Sequence, residues 1–144
     1  MVVVKTKKLV IDSSVAVKWL NSQDEKYLDR ADKILQDCEK KKVFLYAPEL
    51  AKYEIGNAIG YKGLDLSSTK VSLSALYSLP ITFVPLEEGD ALRVLEIAVK
   101  NKITYYDATF INLSEKIGAS LVTDNPKHQK DIKGTKIIAL KDYK

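Results

Sequence analysis

Five short apolar runs constrain this chain more than any other feature. They lie around Val10-Ile11 and at residues 43–46, 81–84, 120–123 and 136–140, and none exceeds six residues. Between them run longer segments whose apolar residues recur at helical spacing. Residues 25–41 carry Leu28, Ala31, Ile34, Leu35 and Cys38 in this pattern, and residues 87–100 carry Leu92, Leu95, Ile97, Ala98 and Val99. Such spacing predicts amphipathic helices. Strands that read as nearly continuous apolar runs, alternating with helices, predict an α/β fold: a mostly parallel five-stranded sheet covered on both faces.

Local signals refine the boundaries. Ser13 or Ser14 is placed to cap the helix after the first strand. Pro48 suits the first turn of a helix running to about Tyr61, with Gly63 ending it. Ser67 and Ser68 offer caps for a further helix whose apolar positions include Val71, Leu73, Leu76 and Leu79. Lys40-Lys41-Lys42 falls where cations complement a helix dipole. Gly118 ends the helix at 106–117.

The 144 residues make one domain spanning 1–144, with no linker or internal repeat. Nothing is long and apolar enough to span a membrane, and no signal-peptide core is present, so a cytoplasmic location is expected. The single cysteine, Cys38, excludes an internal disulfide and a cysteine-based zinc site. The net charge of +4 is compatible with a nucleic-acid partner. From Pro126 onward six lysines face two aspartates. That is either a solvated face or a phosphate-contacting edge beside an acidic site.

The first apolar run, Leu9-Val10-Ile11, stops abruptly on Asp12-Ser13-Ser14. An acid ending a buried strand sits at the sheet edge where open α/β folds place their chemistry. Three further acidic positions have surroundings unlike ordinary surface charge. Glu54 lies in a helix among Ala51, Ile55, Ala58 and Ile59, with Asn57 one turn away. Asp107 is flanked by Tyr105-Tyr106 and Ala108. Asp124, or its neighbour Asn125, ends the fourth strand. Each has an ordinary reading as well. Asp12 could cap a helix, Glu54 could be a helix acid with its stem packed, and Asp124-Asn125-Pro126 could be a turn. Thr104-x-x-Asp107 also reads as a capping box. If the fourth strand pairs with the first, Asp12 and Asp124-Asn125 end on neighbouring strands at the switch point. Gathered carboxylates raise one another's pKa unless a cation intervenes, and oxygen-rich sets suit Mg²⁺ or Mn²⁺.

Four segments together resemble the PIN-domain ribonucleases, specifically the single-domain VapC-type toxins. They are Leu9-Val10-Ile11-Asp12-Ser13-Ser14-Val15-Ala16-Val17-Lys18-Trp19, Pro48-Glu49-Leu50 through Tyr53-Glu54-Ile55-Gly56-Asn57-Ala58, Tyr106-Asp107-Ala108, and Gly118-Ala119-Ser120-Leu121-Val122-Thr123-Asp124-Asn125. The resemblance implies a three-layer fold with strand order 3-2-1-4-5. It implies an acidic site that binds Mg²⁺ or Mn²⁺ and hydrolyses RNA phosphodiesters. Carried over by position, Asp12, Glu54 and Asp107 match the family's acids, and Ser14 and Thr123 match supporting hydroxyls, with Asn57 nearby. The family's Thr-x-Asp ending puts Asn125 at the fourth acidic position, so this chain departs there, and Asp124 is the alternative. The resemblance further implies an RNA substrate, a homodimer, and an antitoxin whose tail covers the acidic groove. Lys127, His128 and Lys130 are then candidates for contacting the RNA backbone. A binding module without turnover and an RNA-processing nuclease outside a toxin–antitoxin pair are the alternatives. A receiver-type domain fits less well, since Asp12 is followed by two serines, and no Gly-rich loop follows the first strand as a dinucleotide binder requires.

Overall fold

The computed structural model describes residues 6–128 and 132–144, with the backbone alone for His128. Among them are strands β1 (Lys7–Ile11), β2 (Val43–Pro48), β3 (Ile81–Val84), β4 (Ser120–Thr123) and β5 (Ile137–Ala139). The helices are α1 (Ser13–Leu20), α2 (Leu28–Glu39), α3 (Leu50–Gly60), α4 (Leu66–Leu76), α5 (Glu88–Asn101) and α6 (Tyr105–Ile117). All five strands pair in parallel in the order β3-β2-β1-β4-β5. This is the expected sheet.

Leu9, Val10 and Ile11 are consecutive and all buried. Successive strand residues face opposite sides, so helices must cover both faces of β1. Val10, Leu121 and Val122 lose all solvent contact, each side chain contributing roughly 1.5–3 kcal/mol of transfer free energy. The core extends through Val15 and Ala16 of α1, Ile55 and Ile59 of α3, and Ala108, Phe110 and Ile111 of α6. The chain builds β1, β2 and β3 outward, then returns to lay β4 on the free side of β1. Ile11 pairs with Val122. The carboxyl ends of β1 and β4 therefore lie side by side at the point where the winding reverses.

Several local expectations change. Neither Ser13 nor Ser14 caps α1; Asp12 occupies the cap position, and both hydroxyls bond to carboxylates instead. Pro48 is the last residue of β2, beyond the β1 pairing, and α3 begins at Leu50. It runs to Gly60, short of Gly63. Asp65, not a serine, caps α4 by accepting from the Ser68 N–H at 2.9 Å. Of the residues of α4 only Leu76 is buried, leaving Val71 exposed. Helix α2 starts at Leu28 because Tyr27 has a left-handed backbone. The lysine triplet lies past its end, with Lys41 also at positive φ.

Candidate active site

Asp12 is set by the register of β1 against β4. Its N–H donates to the Val122 carbonyl at 3.0 Å, extending the ladder by one residue past the strand. Its Oδ2 accepts two hydroxyls, Ser14 Oγ at 2.6 Å and Thr123 Oγ1 at 3.0 Å. Thr123 is fully buried, and its hydroxyl in turn accepts from the Asn125 N–H at 3.0 Å. Ser14 Oγ likewise accepts from the Asp124 N–H at 3.1 Å. The two hydroxyls thus bridge the first acid to the turn after β4.

Glu54 reaches the same edge from α3. It is half-buried, and Ser13 Oγ donates to its Oε1 at 2.9 Å. The adjacent serines after Asp12 therefore serve two different acids. Asp107 arrives from the first turn of α6. Thr104 Oγ1 accepts from the Asp107 N–H at 3.0 Å, which is half of a capping box. Among the described residues the Asp107 carboxylate makes no return bond to Thr104, so its oxygens are free for other use.

Electrostatics ties the three acids into one group. Burial pushes the Asp12 carboxyl above its ordinary range; the Ser14 and Thr123 hydrogen bonds pull it back in part, and the charge of Asp107 adds to the rise. Glu54 is raised first by burial and then by the charges of Asp12 and Asp107, against the Ser13 hydrogen bond. Among the described residues, no Lys, Arg or His nitrogen lies within 4.0 Å of a carboxylate oxygen of Asp12, Glu54 or Asp107. Other half-buried or buried acids, such as Glu25, Asp37 and Asp90, do have such partners.

Asp124 and Asn125 separate in character. Asp124 Oδ2 pairs with Lys18 Nζ at 3.1 Å, and Lys18 is buried in α1. Asn125 is exposed beyond it. Asn57 is exposed one turn after Glu54 and makes no hydrogen bond to the acids among the described residues. Lys127 is exposed in the short 3₁₀ turn Pro126–His128. The side chain of His128, and Lys130 altogether, lie outside the described residues.

Two residues of this edge were not singled out from the sequence. The sequence offers Ser13 only as a cap and gives Lys18 no role. The available signal for Lys18 was a lone cation in the apolar stretch Val15-Ala16-Val17-Lys18-Trp19.

The donor set fits a hard divalent cation by its chemistry: three carboxylates from three elements, mutually repelling and, among the described residues, without a side-chain cation. Among the described residues, no three His, Cys, Asp or Glu side chains close into a ready-made metal cage.

Comparison with known proteins agrees with the fold. The family model of the PIN domain matches residues 9–134. The protein therefore belongs to the PIN domain family. Among solved structures, VapBC2 from Rickettsia felis bound to a promoter DNA fragment superposes with a TM-score of 0.72 at 14% identity, covering 92% of this chain and 98% of that one. PAE2754 from Pyrobaculum aerophilum gives 0.66 at 24% identity, covering 96% and 93%. VapC20 from Mycobacterium tuberculosis, described as a Sarcin-Ricin loop cleaving toxin, gives 0.62 at 12% identity, covering 78% and 85%. No curated protein sequence matches the chain. Among the described residues no helix is long and apolar enough to cross a membrane.

Proposed function

We propose that this protein is a Mg²⁺- or Mn²⁺-dependent ribonuclease, the toxin of a toxin–antitoxin pair acting in the cytoplasm. The observation that carries this reading is the convergence of Asp12, Glu54 and Asp107 at the switch point with no side-chain cation against them among the described residues. Membership of the PIN family supports it, as do similar folds whose names refer to toxin–antitoxin complexes and to a loop-cleaving toxin.

In this reading Asp12 and Asp107 hold the cation, and Glu54 either shares it or orients the attacking water. A divalent cation bound there stabilises charge on the phosphoryl oxygens and makes water a better nucleophile. The chain's own part is positional. Ser14 and Thr123 fix the Asp12 carboxylate by its Oδ2, leaving Oδ1 directed elsewhere, and Ser13 does the same for Glu54. Lys127, with His128 and Lys130, supplies sequence-independent affinity for the RNA backbone. The partners are an RNA substrate, an antitoxin that covers the acidic edge, and a second copy of the chain.

The test is cleavage of RNA by the purified protein with Mg²⁺ or Mn²⁺ and with EDTA, alongside growth on expression. Metal-dependent cleavage, and growth arrest relieved by a co-expressed small antitoxin, are expected. Cleavage that persists in EDTA contradicts metal dependence. Cleavage without growth arrest favours RNA processing over a toxin.

A further inference from the structure

Among the described residues Lys18 is the one buried lysine. Its side chain is 1% exposed, although it sits on α1 only one and a half turns past Asp12. Burying an ammonium is costly unless it is paired, and Lys18 is paired twice. Its Nζ lies 3.3 Å from Glu25 Oε1 and 3.1 Å from Asp124 Oδ2. Glu25 is held from its other oxygen by Lys62 of the α3 end, at 3.3 Å. Lys62 also donates to the carbonyls of Asn21 at 2.9 Å and Gln23 at 2.7 Å. A line of alternating charges thus runs from the end of β4, through α1, to the loop between α1 and α2.

Ser14 and Lys18 are four residues apart on one helix, so they share a face. Both grip Asp124, Ser14 at its N–H and Lys18 at its carboxylate. The turn after β4 is thereby fastened to α1 at two points. Thr123, which orients Asp12, ends the strand leading into this turn, and Asn125, in the turn itself, is exposed at the edge. A free Asp124 carboxylate would add a fourth charge beside acids that already raise one another. Lys18 cancels that charge and holds it in place.

We propose that Lys18 is a positioning residue for the acidic site: with Ser14 it clamps Asp124 to α1, so that Asp124 is the counter-ion of Lys18 and not a metal ligand. This rests on the metal-dependent reading above and deepens it.

The experiment is a Mn²⁺ titration followed by the EPR signal of the free ion, with RNA cleavage measured in parallel. The proteins are wild type, Asp12→Asn, Asp124→Asn, Lys18→Met and the double variant Lys18→Met/Asp124→Asn. Asp124→Asn should keep the Mn²⁺ dissociation constant within about twofold of wild type while cleavage falls, because the clamp is loosened. Lys18→Met should tighten Mn²⁺ binding by freeing the carboxylate, yet lower cleavage about 10- to 100-fold, the usual effect of removing a supporting group. Adding Asp124→Asn should return the Mn²⁺ affinity to the wild-type value. A lysine that merely stabilised the fold would not produce tighter binding reversed by a second substitution. If Lys18→Met does not fold by circular dichroism, Asp124→Asn still decides. If wild type binds Mn²⁺ and Asp12→Asn abolishes binding, while Asp124→Asn weakens it about tenfold or more, Asp124 is a ligand and the proposal is overturned. An unchanged affinity in folded Lys18→Met overturns it as well. If wild type binds no Mn²⁺ and Asp12→Asn changes nothing, the nuclease reading itself falls, and the clamp with it.

Discussion

Thr123 at the end of β4 donates its hydroxyl to Asp12 at the end of β1 over 3.0 Å. The contact joins neighbouring strands across the switch point, and Thr123 is fully buried. Thr123→Val keeps the shape but removes the hydroxyl, leaving the Asn125 N–H without its acceptor. A loss of about 1–3 kcal/mol in stability is expected from the unsatisfied groups. Thr123→Ser should retain most of it. Urea denaturation of the two variants checks this, and a larger loss in Thr123→Ser than in Thr123→Val would mean that the methyl group, not the hydroxyl, matters.

Asp12→Asn should stabilise the metal-free protein at neutral pH. Both hydroxyl donors use Oδ2, so an amide oxygen there can accept them. The wild-type carboxyl is raised in the fold. A raised acid favours the fold below its unfolded pKa, and that contribution is lost as pH rises through the folded pKa. The stability difference between Asn and Asp should therefore grow from acidic toward neutral pH. Saturating Mg²⁺ should reverse the order, adding about 2.7 kcal/mol to wild type at a hundredfold excess over Kd and little to the variant. Thermal denaturation with EDTA and with Mg²⁺ measures both.

Asp37 titrates in the opposite sense. It is buried on α2, accepts the Tyr143 hydroxyl at 2.7 Å and pairs with Lys33. Burial pushes it up, but the Lys33 and Tyr143 hydrogen bonds and the charges of Lys33 and Lys42 outweigh that, and its pKa is lowered. Its contribution is present above the unfolded pKa and lost as pH falls through the lowered folded value. Tyr143→Phe should cost about 1.5–3 kcal/mol near neutrality, and the deficit should shrink in acid. A deficit independent of pH would show that Tyr143 acts through packing alone.

Gly118 closes α6 at φ +68, with no atom within 4 Å of where a Cβ would stand. The strain of Gly118→Ala is then purely backbone, about 1 kcal/mol, and Gly118→Asn should cost less. Thermal melts of the two variants rank them.

The sheet was legible because each strand is an apolar run bounded by polar or turn residues, and parallel strands buried on both faces leave that pattern. Asp12, Glu54 and Asp107 stood out because each carboxylate interrupts apolar surroundings. Pro48 misled because proline suits a strand end as well as a helix start. Val71 misled because α4 does not bury the position its spacing offers. Lys18 was invisible for a different reason. Its partners, Glu25 and Asp124, come from a loop and a distant strand end, and only the folded chain brings them to one nitrogen.

The central claim is that Asp12, Glu54 and Asp107 form one metal-dependent hydrolytic site. Single-turnover cleavage of RNA by wild type, Asp12→Asn and Asp107→Asn, at saturating Mn²⁺, tests it most directly. Removing either carboxylate should lower the rate at least about a hundredfold, as loss of a preorganised charge at a reacting centre does, with the fold intact by circular dichroism. Cleavage at the wild-type rate in both folded variants would contradict the account.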